Sequence, residues 1–554
     1  MNPHATHEVA NQSQPLADVN LFTANRPLRE ALGAMTPSLL ASPAAGRLMA
    51  LGAEAGSSAM QEHARLANNN PPRLHTHDTR GHRIDEVEFH PSYHALLGSA
   101  IGHGLHATPW IEGAGGHTER AAAFMLFTEA EPSVLCPVSM TYAVLPALRA
   151  NPALLADWES RLASTRYDER FLPAVQKAGA TIGMGMTEKQ GGSDVRANST
   201  RAEFKADDGW GARYRITGHK WFMSAPMCDA FLVLAQSQRG SADGGLTCYL
   251  MPRYRPDGSQ NQIRLQRLKD KLGNKSNASS EVEFHGAYAE RVGAEGAGVR
   301  TIIEMVNLTR LDCAIASAGQ SRIALSQALN HIRNRSVFQR KLADQPSMRA
   351  TVADLALELE AQVALVFRLC RASERAQDDP AEAAYVRLLT PAVKFLVCKS
   401  TPQLVYESLE CLGGNGYAED LPLARYFRES PLNAIWEGSG NVMALDVLRA
   451  AGRHPDQAMA TVTALTKTAA AAFDVRPMAE TLANVLQSGD AERRARFLCE
   501  GLAKIAALAA LAEAKSDFAT LYGDTRLKGA RFAQFGTADL GSAEQALMDR
   551  ALAA

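Results

Sequence analysis

Between Gly183 and Gly296 the hydrophobic pattern of this 554-residue chain changes period, and that change limits the folds open to it. Upstream, Glu119-Arg-Ala-Ala-Ala-Phe-Met-Leu-Phe127 and Met140-Thr-Tyr-Ala-Val-Leu-Pro-Ala-Leu148 repeat apolar side chains at helical spacing. Inside the window Tyr214-Arg-Ile-Thr217 and Glu281-Val-Glu-Phe284 alternate, while Phe231-Leu-Val-Leu234 and Thr247-Cys-Tyr-Leu250 are short apolar runs. Glycine and Asp-Gly turns separate them, as between strands. Helical periodicity then resumes from Ile302 to about Ala451, and the last hundred residues are alanine-rich and helical. The pattern predicts an α+β chain in four parts: an N-terminal helical domain (1–181), a small β-barrel or sandwich (182–296), a helical bundle (297–452) and an extra C-terminal helical domain (453–554). Residues 28–180 read as mostly helical, broken at Asn68-Asn-Asn-Pro-Pro72, and the polar first thirty residues read as an arm that drapes or frays.

Charge excludes some functions. With 58 Lys and Arg against 59 Asp and Glu, there is no chain-wide attraction to nucleic acid or an anionic membrane. The eight cysteines are scattered with no Cys-x-x-Cys, which argues against a zinc site or a disulfide framework and for a reducing compartment. No run of about eighteen apolar residues exists, and the N-terminus lacks the layout of a secretion signal, so a cytoplasmic protein is expected. His75, His77 and His82 are close in sequence, but Asp78-Thr-Arg-Gly81 between them reads as a turn and no metal is expected.

The segment Gly183-Met-Gly-Met-Thr-Glu-Lys-Gln-Gly-Gly-Ser-Asp-Val195 carries paired glycines and two hydroxyls, Thr187 and Ser193. Glycines let a backbone approach a ligand closely and leave N–H groups free for an anion or a polar ring edge. A nucleotide-like cofactor suits such a loop; a plain surface turn has the same composition. Four further segments can carry chemistry. Gly218-His-Lys-Trp-Phe-Met-Ser224 puts a hydroxyl at a strand end, where an ordinary aromatic strand would look alike. Arg335-Ser-Val-Phe338 places a guanidinium and an aromatic on one face of an expected helix. Leu412-Gly-Gly-Asn-Gly-Tyr417 reads as a tight helix-ending turn, because a helix precedes it where a dinucleotide-binding site needs a strand. Ile435-Trp-Glu-Gly-Ser-Gly-Asn441 sets a carboxylate just before an amphipathic helix, either partly desolvated as a base or simply favoured by the helix dipole.

These five segments, in this order, resemble the acyl-CoA dehydrogenase flavoprotein superfamily over roughly residues 80–450. The family's motifs are Thr-Glu-Pro-x-Ala-Gly-Ser-Asp, Lys-x-Trp-Ile-Thr, Arg-x-x-Phe-Gly, Gly-Gly-x-Gly and Tyr-Glu-Gly-Thr-Ser-Gln. The forms Thr187-Glu-Lys-Gln-Gly-Gly-Ser-Asp194, Leu268-Lys-Asp-Lys-Leu-Gly-Asn-Lys-Ser-Asn-Ala278 and Trp436-Glu-Gly-Ser-Gly-Asn441 are similar to its AidB-type branch, associated with the adaptive response to DNA alkylation. The resemblance implies FAD as cofactor, with Met184, Gly185, Met186, Thr187, Glu188, Lys189, Gln190, Gly191, Gly192 and Ser193 lining it. Phe222, Met223 and Ser224 face the ring, and Gly413, Gly414, Ile435, Trp436, Gly438, Ser439, Gly440 and Asn441 complete the pocket. Arg335 and Phe338 reach the FAD of a neighbouring subunit in a homotetramer. Glu437 takes the place of the base that removes the α-proton of an acyl thioester, and Arg310 that of a CoA-side arginine. Departures accompany the match: Gln339 replaces the glycine of Arg-x-x-Phe-Gly, Lys189-Gln190 replaces Pro-Gly, Asn307 replaces an aspartate before Arg310, and Arg449 is in position to pair with Glu437.

The AidB-type branch also implies double-stranded DNA as partner of the C-terminal domain. Past residue 450 the chain carries a dozen charges of each sign, so any basic face must come from a one-sided display of Arg493, Arg494 and Arg496, or of Lys528 and Arg531. Three functions follow from the resemblance: a DNA-protecting flavoprotein with weak acyl-CoA dehydrogenase activity at most, a dehydrogenase or oxidase of a short or branched acyl-CoA, and a scaffold that FAD merely stabilises.

Overall fold

The structure, a computed structural model, describes residues 6–113, 116–208, 211–239, 242–528 and 534–552. It divides into two compact units. One comprises Met1–Ser58, His117–Glu129 and Cys313–Ala554, and the other Ala59–Gly116 and Ala130–Asp312.

The second unit holds the β-structure. A hairpin of β1 (Arg73–His77) and β2 (Arg83–Glu88) precedes its helices Pro91–Gly102 and Leu135–Leu148. This hairpin departs from the expected helical run; β1 alternates exposed and half-buried residues with Leu74 its one apolar side chain, too little apolar pattern to read as a strand. The sheet is built from β3 (Ile182–Gly185), β4 (Arg201–Asp208), β5 (Gly211–Ser224), β6 (Ala230–Arg239), β7 (Ala242–Pro252), β8 (Ile263–Leu268) and β9 (Ser279–Val292). β6 pairs with β4 and β7, β4 with β5, β5 with β9, and β9 with β7. That ring closes, so the expected barrel or sandwich is a barrel without free edges in its wall. β3 adds parallel to β6, and β8 antiparallel to β9. Ala212, Tyr214 and Ile216 of β5 alternate inward, whereas β6 is buried on both faces from Ala230 to Ala235. The β5–β9 register slips between Lys220 and Met223, a bulge that re-aims the strand end. Gly218 has φ +152° and a Cβ there would lie 2.5 Å from Thr200 Oγ1, so the strand can pass only without a side chain.

The first unit is helical. Pro346–Arg375 and Pro380–Glu410 are its long members, each with proline in its first turn, where the missing N–H costs nothing. The chain beyond residue 453 shares their core. Ala495–Glu513 buries a continuous Ile505–Leu511 face and packs on both long helices and on Gly440–Arg453. Two arginines of this tail are anchors. Arg526 is buried against Asp354 and Glu358, and Arg550 bonds Glu360 and Glu30. The expected helix around Arg335 does not form. Gly298–Asn334 ends one residue earlier, and Ser336–Val337 (β10) pairs with Arg340–Lys341 (β11). Phe338 and Gln339 sit between them at φ +51° and +64°, the two left-handed positions of a tight hairpin turn. Helical residues cannot adopt those angles. The polar arm is tied down here: Asn11 exchanges hydrogen bonds with Ser336, and Asn330 donates to Gln14 O. Among the described residues, no helix is long and apolar enough to cross a membrane.

Candidate active site

In the β-unit the glycine-rich loop leaves β3, whose start is held by Thr141 Oγ1, 3.0 Å from Ile182 N. The loop folds around Glu188, which is fully buried. Its carboxylate accepts hydrogen bonds from Lys220 Nζ (2.8 Å), Ser199 N and Oγ (2.7 and 2.9 Å), Thr200 N (3.2 Å) and Gln190 Nε2 (2.8 Å). Burial opposes the charge, yet the Lys220 ammonium and these donors outweigh it and hold Glu188 well below the usual carboxylate range. Burial draws Lys220 itself down to about 8. Lys220 also donates to Leu234 O at 2.9 Å, pinning the loop to the barrel wall.

Tethered in this way, the loop meets the end of β5. Trp221 N donates to Thr187 O at 2.9 Å. A Cβ on Gly192 would lie 2.4 Å from Thr187 Oγ1, so this glycine is needed for the hydroxyl to stay where it is. The Lys189-Gln190 departure is accommodated. Gln190 bonds Glu188 and Ala197 O, while Lys189 N donates to His219 Nε2 and the Lys189 ammonium lies 5.9 Å from the Trp221 ring. On β5 the Phe222 ring stays 49% exposed, and Ser224 Oγ lies 3.1 Å from Ser279 Oγ. Met223 departs from the expected cofactor-facing set: its side chain is fully buried by the pleat and only its carbonyl is used, by Ser280. Glu188 likewise acts from beneath the loop. Arg310 is almost fully buried.

The helical unit carries the remaining candidates. Glu437 follows a short 3-10 turn, Leu432–Ala434, and takes φ +58°, with Gly438 after it at +104°. A non-glycine residue there is strained and must be held by its surroundings. Trp436 Nε1 donates to Asn433 Oδ1 at 2.8 Å, and Asn433 Nδ2 to Ser317 Oγ at 3.1 Å. The Lys394 ammonium, on Pro380–Glu410, donates to the carbonyls of Asn433 (2.9 Å), Trp436 (2.8 Å) and Gly438 (2.8 Å). Ser439 caps Gly440–Arg453 with no side-chain bond of its own, and Gly440 is packed so closely that a Cβ would lie 2.5 Å from Lys399 Cε. Arg449 is on the exposed face of that helix, twelve residues past Glu437, and makes no ion pair among the described residues. The helix begins at Gly440, so nine residues at 1.5 Å rise place Arg449 about 13 Å along its axis from the helix start. Gly413, at φ +59°, and Gly414 form the expected helix-ending turn. Phe338 is 89% exposed at the hairpin tip, and Arg335 donates to Asn11 O at 2.8 Å.

The tail cations divide. Arg493 is 86% exposed with Asp490 at 3.9 Å, and Lys528 pairs with Asp524 at 3.1 Å. Arg494 stacks over Phe497, whereas Arg496 bonds Asn441 Oδ1 at 3.2 Å, beside the Glu437 segment. Arg531 is outside the described residues. Lys394 and Asn433 were invisible as site residues in the sequence, since a lysine is by default a surface group, and the Gly218–Ser224 segment did not show that the Lys220 ammonium is buried. Among the described residues no group of histidine, cysteine and carboxylate side chains can hold a metal, and all eight cysteines are free thiols.

Three protein-family models match: the N-terminal domain of adaptive response protein AidB over residues 11–169, the acyl-CoA dehydrogenase middle domain over 183–287 and the acyl-CoA dehydrogenase C-terminal domain over 296–452. The chain is 48% identical to AidB of Escherichia coli over 450 residues, 80% of each protein. It is 33% identical over 404 residues to acyl-CoA dehydrogenase family member 11 of Caenorhabditis elegans, covering 71% of this chain and 64% of that one. Among solved structures, Caenorhabditis elegans ACDH-11 in complex with C11-CoA superposes with a TM-score of 0.82 at 26% identity, over 99% of this chain and 93% of that one. The apo form of Bd2924 superposes with a TM-score of 0.83 at 29% identity, over 91% and 99%.

Proposed function

Since the chain belongs to the acyl-CoA dehydrogenase family and carries the AidB N-terminal domain, we propose that it is an AidB-type flavoprotein that binds double-stranded DNA and protects it against alkylation, keeping a thioester-oxidising centre of low activity. FAD is its cofactor. The observation that carries this reading is the 48% identity to AidB across four fifths of both chains, together with the match of residues 11–169 to the AidB N-terminal domain.

The residues present fit a flavin. An aromatic ring left half uncovered at Phe222, the hydroxyls of Thr187 and Ser224, and the glycine-lined turn at Gly191-Gly192 offer a stacking surface and edge hydrogen bonds for a flat heteroaromatic ring. Those residues of the β-unit would hold the ring, and within the helical unit Ser439, Gly440 and Asn441 stand at a helix start whose N–H groups suit an anion. When bound, the flavin supplies the two-electron acceptor for a hydride leaving the β-carbon of a thioester. Glu437 takes the proton from the α-carbon, and its rigid loop keeps the carboxylate in one place while it does so. Arg335 and Phe338 extend to a second subunit of a homotetramer in this reading.

DNA binding rests on few cations. Of the tail cations expected to meet DNA, Arg493, Arg494 and Lys528 are the described ones not consumed by buried pairs or by the Glu437 segment. Three phosphate contacts give a slope of about −3 for log K against log salt concentration per subunit. Gel-shift titration of the Arg493→Glu/Arg494→Glu/Lys528→Glu variant should show at least tenfold weaker binding and a flatter slope. Unchanged binding would remove this surface from the proposal. The intact Glu437 loop favours a second reading, a genuine dehydrogenase of a short or branched acyl-CoA. Rapid anaerobic bleaching of the flavin by such a thioester would establish it. Absence of both DNA binding and bleaching would leave FAD as a structural element only.

A further inference from the structure

We propose that Lys394 is the positioning residue for Glu437: its buried ammonium grips the carbonyls on both sides of the glutamate, and so fixes the strained loop and sets the basicity of the carboxylate. The inference rests on reading Glu437 as the base.

Lys394 is 1% exposed, and its three N–H donors go to the carbonyls of Asn433, Trp436 and Gly438. An ammonium has three donors, so none is left for a carboxylate. Burying a cation is costly unless something compensates, and three neutral carbonyls leave the positive charge in place. The grip spans the residue it matters to. Trp436 O and Gly438 O flank Glu437, whose Cα is therefore within about 6 Å of the ammonium by covalent geometry alone.

Two features indicate that the loop depends on this grip. Glu437 holds φ +58°, a conformation L-residues leave unless they are constrained. Two side-chain tethers, Trp436 to Asn433 and Asn433 to Ser317, lie ahead of Glu437, and the Lys394 ammonium reaches past it to Gly438. The cation has an electrostatic effect as well. A positive charge at this range favours the carboxylate over the acid. Other charged groups on the elements packed around the loop include Lys399 against Gly440, Arg496 on Asn441, the Arg387–Asp446 pair, Arg449 on Gly440–Arg453, and Arg425, Arg428 (paired with Glu419) and Glu429 on Leu423–Glu429. Lys394 bonds the backbone on both sides of Glu437.

Hydrogen exchange and a pH profile on FAD-loaded protein test the two halves separately. In Lys394→Met, amides 433–441 should exchange at least tenfold faster than in the wild type, with 313–330 unchanged. In Lys394→Gln, which keeps two donors but no charge, most of that protection should remain. In both, the limb of the flavin-bleaching rate with undecanoyl-CoA that Glu437→Gln abolishes should move up by about one pH unit. Unchanged exchange in Lys394→Met overturns the grip, and an unmoved limb overturns the electrostatic role. Should Lys394→Met not fold, Lys394→Gln carries the pH test alone. If the wild type is not bleached at all, the reading of Glu437 as base fails, while the exchange measurement still decides whether Lys394 holds the loop.

Discussion

Removing one partner of the Glu188–Lys220 pair should cost far more than removing both. Each side chain is fully buried, so solvent screening does not weaken the pair. Glu188 collects five hydrogen bonds from four residues, and Lys220 links it to the barrel wall. In Lys220→Met the carboxylate stays buried without a counter-charge, and such a loss costs about 3–5 kcal/mol. At about 1.4 kcal/mol per tenfold, the opening equilibrium of the glycine-rich loop should shift by roughly two to three and a half orders of magnitude. Adding Glu188→Gln removes the stranded charge and keeps one acceptor oxygen, enough for Ser199, whose N and Oγ share one oxygen of the carboxylate. The double variant should therefore regain at least about half the loss, because residues in one network are not additive. Hydrogen exchange of amides 186–192 and the dissociation constant for FAD, measured on all four proteins, give the cycle. Equal destabilisation by the single and the double variant would show that the pair is incidental to the loop.

The same pair makes the loop sensitive to acid. Glu188 is held below its ordinary value of 4.5, so its contribution is present above that pH and is lost as pH falls through the folded value; FAD release should rise on the acid side and Glu188→Gln should flatten the profile. Glu129, buried against Arg322, has the opposite sign: burial pushes it up to about 7, so its contribution is present below pH 4.5 and is lost as pH rises through 7, by about 3 kcal/mol at most. Urea unfolding followed from pH 4 to pH 8 should show that slope, and Glu129→Gln should reduce it; a slope unchanged by the substitution would contradict the assignment. Gly192→Ala should displace Thr187 and weaken FAD binding about tenfold or more, read by flavin fluorescence on titration of the apoprotein. Gln339→Gly should relieve the left-handed turn and raise hairpin stability by about 0.5–1 kcal/mol after the extra chain entropy of glycine is subtracted; a lower melting temperature would show that the Gln339 side chain has a role of its own.

The parts of the site visible in the sequence were those that local pattern encodes. The change of period at Gly183 announces the barrel, Ser224 ends its strand, and Ser439 precedes its helix. The hairpin at Arg335 was missed because Phe338 and Gln339 adopt left-handed angles without the glycine or asparagine that usually signals them. Lys394 was missed for a different reason. Its partners are 39 to 44 residues away, and the carbonyls of a loop have no sequence signature. Arg496 looked like a surface cation among arginines, and only the packing of Ala495–Glu513 on Gly440–Arg453 turns it toward Asn441. Arg526 was similarly taken inward, by two carboxylates a turn apart on Pro346–Arg375.

The central claim is a flavin centre with Glu437 as its base, and anaerobic titration of the FAD-loaded protein with undecanoyl-CoA tests it most directly. Slow loss of the visible flavin absorption in the wild type and none in Glu437→Gln is the predicted result. Bleaching at the same rate in both proteins, or in neither, would contradict it.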